Sequence, residues 1–76
     1  MQEFIMTVVR ALVDSPDEVE VEEVLDERGA MYELRVAPTD LGKVIGKGGQ
    51  TVRSLRTLIS AIAAKHGKRV ALEIRE

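Results

Sequence analysis

The chain has no cysteine, no tryptophan and a single histidine among 76 residues. Neither a disulfide nor a structural metal is therefore available to staple so small a fold, and no ligand spacing for a metal or cofactor exists. The absence of cysteine fits a reducing compartment. Phe4 and Tyr32 are the only phenyl aromatics, and they make no stacking pair of the kind an RNA-recognition-motif sheet uses. No apolar run approaches the ~20 residues that span a bilayer, and no basic segment precedes an apolar stretch at the start, so no membrane role is expected. These absences predict one soluble, cytoplasmic domain over residues 1–76. A chain of this length buries only about 60% of its unfolded surface and often gains stability by oligomerising.

What the chain does have is charge sorted by position. The net charge is −2, but residues 1–40 carry eleven acids against three bases, and residues 41–76 carry eight bases against two acids. A balance of −8 is thus followed by one of +6. Charge separated this sharply in a small domain can survive as two faces, one of them attractive to anions.

Periodicity places the elements. Ile5, Val8, Val9, Leu12 and Val13 recur at helical spacing with Phe4 at the flank, predicting a helix from Gln2 to Asp14 that Ser15-Pro16 stops. Val19 and Val21 alternate with Glu18, Glu20 and Glu22. The phase slips at Glu22-Glu23, which suggests a bulge or strand twist. Turn chemistry at Asp26-Glu27-Arg28-Gly29 and renewed alternation at Tyr32, Leu34 and Val36 predict a β-hairpin over 18–37, its acidic edge a solvated one. Thr39 or Asp40 can cap a short helix from Leu41 to Ile45. A longer helix is expected from Gln50 to His66, stopped by Gly67, with His66 capping the last carbonyls. Val70, Leu72 and Ile74 then form a third strand. The order is α-β-β-α-α-β. At 100° per residue, Val52, Leu55, Ile59, Ile62 and Ala63 share a stripe that should face the sheet, while Arg53, Arg56, Thr57 and Ser60 lie on another side.

The stretch Lys43-Val44-Ile45-Gly46-Lys47-Gly48-Gly49 interrupts the two later helices. It is not a phosphate-binding P-loop: Gly42 is one residue too close to Gly46-Lys47, and Gly48 stands where a hydroxyl would hold magnesium. It is not a dinucleotide fingerprint either, because Thr51 replaces the third glycine and a helix, not a strand, precedes it. No nucleophile–base pair is visible, since Ser54, Thr57 and Ser60 have no positioned histidine, so no enzyme is expected.

Val44-Ile45-Gly46-Lys47-Gly48-Gly49, an apolar pair followed by G-x-x-G between two helices, resembles the signature of the KH domain family. The element order is similar to that of the type II KH arrangement, an α+β fold with a three-stranded sheet and helices on one face. In length the chain resembles the small bacterial single-KH RNA-binding proteins of the KhpA type. That resemblance implies a post-transcriptional regulator or RNA chaperone that binds single-stranded RNA, as a homodimer or with a larger KH protein of the KhpB (Jag) type. Gly48 is an extra glycine and should loosen the turn.

The chemistry of the residues agrees. Gly46 and Gly49 lack a Cβ, so a sugar-phosphate backbone can approach the main chain. The first amides of the following helix favour an anion. Lys43, Lys47, Arg53 and Arg56 supply cations, while Val44 and Ile45 can floor an apolar groove for about four nucleotides. Rival readings are a protein-interaction subunit with a vestigial groove and a single-stranded DNA binder. The retained cations speak against the first; nothing in the sequence reads a 2′-hydroxyl. A flank of the long helix, Ser54, Leu58, Ala61 and the stem of Lys65, forms a candidate dimer surface; alternatively Leu58 packs under the first helix.

Overall fold

The computed structural model describes residues 1–75. Helix α1 spans Gln2–Leu12, strand β1 Glu20–Asp26, strand β2 Gly29–Arg35, helix α2 Leu41–Ile45, helix α3 Gln50–Lys65 and strand β3 Val70–Arg75. Short 3-10 turns precede β1, α2 and α3. This is the α-β-β-α-α-β order of a type II KH fold. Among the described residues no helix is long and apolar enough to cross a membrane.

Helix α1 buries Ile5 and Val9, one turn apart, with Glu3 in its first turn and Arg10 in its last, where each complements the helix dipole. It ends two residues earlier than its periodicity predicts. Val13 turns extended after donating to Val9 O, and the N–H groups of Asp14 and Ser15 donate to the carboxylate of Asp40. Those amides leave the helical ladder because a side chain from across the fold accepts them.

The sheet order is β1-β2-β3, antiparallel between β1 and β2 and parallel between β2 and β3. The two-residue turn Glu27-Arg28 closes the hairpin, with Asp26 Oδ1 accepting from the N–H groups of Arg28 (2.7 Å) and Gly29 (3.0 Å). Pairing runs without interruption from Glu20↔Arg35 to Asp26↔Gly29, so the slip in pattern at Glu22-Glu23 is not a bulge. Glu23 occupies the inward position opposite Tyr32, and its carboxylate accepts the Tyr32 hydroxyl at 2.7 Å. One member of the acidic edge, itself exposed, therefore serves as the hydrogen-bond acceptor of a core tyrosine. Burial, then the hydrogen bond and charge of Glu23, push the Tyr32 hydroxyl up to about 12. Beyond Glu23 the hairpin outruns the helices, leaving Leu25 71% exposed.

One core lies on a single face of the sheet. Ile5 and Val9 from α1, Val44 from α2 and Val52, Leu55 and Ile59 from α3 meet Val21, Tyr32, Leu34 and Leu72. Ile62, expected on the same stripe, is 38% exposed, because it faces the end of the hairpin rather than the sheet. Helix α3 stops in a Schellman motif: Lys68 N–H donates to Ala63 O, Gly67 N–H donates to Ala64 O, and Gly67 takes φ +67°. His66 contributes its backbone N–H there; among the described residues its ring bonds no helix carbonyl.

Candidate nucleic-acid interface

The loop between α2 and α3 is built from three glycines that differ in their reasons. Gly46 ends α2 with φ +77° and ψ 170°, its N–H donating to Gly42 O at 2.9 Å. A Cβ on Gly46 would stand 2.2 Å from Thr51 Oγ1 and 2.9 Å from Thr51 N. The missing side chain therefore makes room for the chain's own next helix, not for a ligand as its place in the motif suggests. Gly48 (φ +63°) and Gly49 (φ +76°) are left-handed, which glycine adopts without strain. A Cβ on Gly48 would meet nothing within 4 Å, and one on Gly49 only Arg53 Nη2 at 3.8 Å. The open side of the loop is thus at Gly48 and Gly49. Gly48 does not simply loosen the turn, since its left-handed conformation helps to form it.

Gly49 N–H donates to Gly46 O at 3.1 Å and begins α3, whose N-terminus no side chain among the described residues caps. Orphan amides there carry the positive end of the helix dipole. Lys47 is exposed at the tip, with no ion pair among the described residues. Arg53 leans over the loop, its Nη2 donating to Gly48 O at 3.3 Å. Arg56, one turn further on, donates from Nε to Leu72 O at 3.1 Å, and so reaches the edge of the sheet that β3 leaves open. The remaining N–H groups of both guanidinium groups are available to an acceptor.

Two residues of the expected site are placed differently from the rest. Val44 is fully buried in the core. It cannot floor a groove directly, because no ligand can reach it; it fixes α2 from beneath, and the half-buried Ile45 stands next to the loop. Lys43 is already paired. Its ammonium donates to Asp14 Oδ2 and lies 3.9 Å from Asp40 Oδ1. The hydrogen bond it donates to the Asp14 carboxylate raises the lysine above its ordinary value.

Asp40 is the residue that sequence reasoning misplaced. It precedes α2 as a cap would, but it bonds no amide of that helix. At 1% exposure, its Oδ1 accepts from Asp14 N–H (3.1 Å) and its Oδ2 from Ser15 N–H (3.0 Å). The carboxylate thereby ties the end of α1 to the start of α2. Nothing periodic signals a partner 26 positions away.

With this geometry in view, the family comparison is decisive: the model described as KhpA/KhpB, KH domain, matches residues 2–74. The chain belongs to that KH family. Among its relatives, the RNA-binding protein KhpA of Clostridium acetobutylicum is 50% identical over 74 residues, covering 97% of this chain and 99% of the relative. The RNA-binding protein KhpA of Chlamydia pneumoniae is 45% identical over 76 residues, covering 100% of this chain and 97% of the relative. That of Aquifex aeolicus is 47% identical, covering 100% and 96%. No solved structure gives a significant match. The loop Gly46–Gly49 sits in this KH domain where two helices converge, and a concavity of about 810 Å³ lies elsewhere. It opens between the hairpin end and the far end of α3, among Phe4, Leu25, Tyr32, Ile62, His66 and Arg69, and includes no residue of the loop.

The proposed dimer flank is on the surface. Ser54, Ala61 and Lys65 are exposed and Leu58 is 52% exposed. Leu58 lines a shallow apolar recess with Val8 and Leu12 of α1, so it adjoins the first helix without being covered by it.

Proposed function

We propose that this chain binds single-stranded RNA through the Gly46–Gly49 loop and acts, without catalysis, in post-transcriptional control or as an RNA chaperone. The observation that carries this reading is the open backbone at Gly48 and Gly49, with Lys47, Arg53 and Arg56 beside it and the uncapped start of α3 behind. A phosphate approaching there meets main-chain N–H groups, the helix dipole and cations together, none of which needs to reorganise greatly. Ile45 and the strip between α3 and the β3 edge offer apolar and backbone groups to the bases, and about four nucleotides fit such a module. The relatives named as RNA-binding proteins support the assignment. Affinity should be weak for an isolated domain and fall with salt, with a log–log slope of roughly −0.7 per neutralised phosphate. Fluorescence anisotropy with short RNAs across a salt series tests it, alongside DNA of the same sequence because no group here reads the 2′-hydroxyl. The variant Lys47→Asp with Gly48→Asp should remove binding and keep the fold, at a cost of about 1–2 kcal/mol for the left-handed position 48, since both positions are exposed and lie outside the core. Binding that ignores salt, or a double variant that binds like the parent, refutes the reading.

A second copy on the Leu58 flank, or a larger KH protein of the KhpB type, is the partner this reading favours. The specific support is an apolar recess of Val8, Leu12, Leu55 and Leu58 that lies beside the small residues Ser54 and Thr51. Two joined loops would gain avidity for long RNA through effective concentration. Leu58→Glu with Ala61→Glu should give a folded monomer by analytical ultracentrifugation, with weaker binding to long RNA and unchanged binding to a short one. A persistent dimer places the interface elsewhere.

A further inference from the structure

Lys43 stands on α2 just ahead of the apolar pair and the glycine loop, yet its ammonium is occupied by Asp14 at the end of α1. The placement of Asp14 is fixed by the fold. Its own N–H is held by Asp40 Oδ1 at 3.1 Å, the next N–H by Oδ2 at 3.0 Å, and Asp40 is itself buried. The carboxylate of Asp14, in contrast, satisfies no buried group and is 78% exposed. An exposed ion pair of this kind contributes little to stability. Its consequence is electrostatic: it sets a fixed negative charge against a cation beside the proposed phosphate site.

We infer that Asp14 is an affinity-setting residue, an internal anion that competes with a nucleic-acid phosphate for Lys43. The inference rests on the loop reading above and adds a residue that lies 32 positions before Gly46 in the chain. When a phosphate arrives, Lys43 must exchange one anion for another, and the displaced Asp14 carboxylate stays nearby because its backbone is clamped. Both effects weaken binding and keep it readily reversible. Asp40 Oδ1, 3.9 Å from the ammonium, keeps Lys43 directed toward this region once Asp14 is neutral. In surroundings close to water, freeing the Lys43 charge for a phosphate about 6 Å away shifts the binding equilibrium about three- to tenfold.

Asp14→Asn tests the inference, with Asp14→Ser as a second uncharged variant and Asp17→Asn as a control acid from outside the pair. Fluorescence anisotropy should find short single-stranded RNA bound about three- to tenfold more tightly by both Asp14 variants, and the control unchanged. The log–log salt slope should steepen by about 0.7 as one more phosphate is neutralised. In a Lys43→Gln background, Asp14→Asn should change affinity less than about twofold, the coupling expected of groups in contact. Unchanged or weaker binding by Asp14→Asn overturns the inference, as does an equal gain in the Lys43→Gln background. If the parent binds RNA and loses it on Lys47→Asp with Gly48→Asp while Asp14→Asn has no effect, only the role of Asp14 falls. If the parent binds no RNA, both fall.

Discussion

Replacing Gly46 by alanine separates a structural glycine from its neighbours in the loop. With φ +77° and ψ 170°, Gly46 occupies a region that is nearly reserved to glycine, and placing an L-residue there costs about 1–3 kcal/mol. The new methyl would also overlap Thr51 Oγ1 at 2.2 Å and Thr51 N at 2.9 Å. The hydroxyl could rotate away, but the backbone nitrogen belongs to the first turn of α3 and moves only with the helix. Overpacking of that kind costs about 1–3 kcal/mol more, for a total of about 2–6 kcal/mol. In a domain this size, each kcal/mol moves the melting midpoint by about 4–8 °C. Gly48→Ala, with φ +63° and nothing within 4 Å of the added methyl, should lose only about 1–2 kcal/mol. Urea denaturation followed by circular dichroism measures both. A Gly46→Ala protein within about 0.5 kcal/mol of the parent, or no less stable than Gly48→Ala, would refute the reasoning from conformation and contact.

The remaining predictions concern the two carboxylates that the core recruits. Tyr32, raised to about 12 in the folded chain against about 10 when unfolded, favours its neutral form in the fold. The stability it contributes is therefore complete below pH ~10 and is lost as pH rises toward ~12. Because it is the one tyrosine and there is no tryptophan, the near-ultraviolet absorbance of the phenolate follows it cleanly; titration near 10 in the native protein contradicts the Glu23 bond. Asp40→Ala leaves the N–H groups of Asp14 and Ser15 without their acceptor and should cost about 2–3 kcal/mol of unfolding free energy measured in urea; a loss below about 0.5 kcal/mol would mean that water replaces the carboxylate freely.

The parts of this fold legible in the sequence are those written as local periods. The hairpin alternation, the Val52-Leu55-Ile59-Ala63 stripe and the Gly67 stop depend on neighbours within a few positions, and each element formed. The errors share a cause, which is that tertiary partners decide them. Glu23 breaks the alternation because Tyr32 needs an acceptor. Asp40 abandons its cap because two amides 25 and 26 positions earlier need one. Val44 and Ile45 are equivalent in the motif, yet one is core and the other lies by the loop. Likewise Gly46, Gly48 and Gly49 read alike, and only the position of Thr51 shows which one is held by packing.

The central claim is that the loop between α2 and α3 is where single-stranded RNA docks. Heteronuclear NMR of the labelled protein, titrated with a short single-stranded RNA, tests it most directly. The account predicts that the amide signals of residues 46–52 shift progressively, with the guanidinium signals of Arg53 and Arg56 moving alongside and those of Glu20, Glu22 and Glu27 staying still. Shifts confined to the hairpin end and the His66–Arg69 region, with the loop silent, would contradict it.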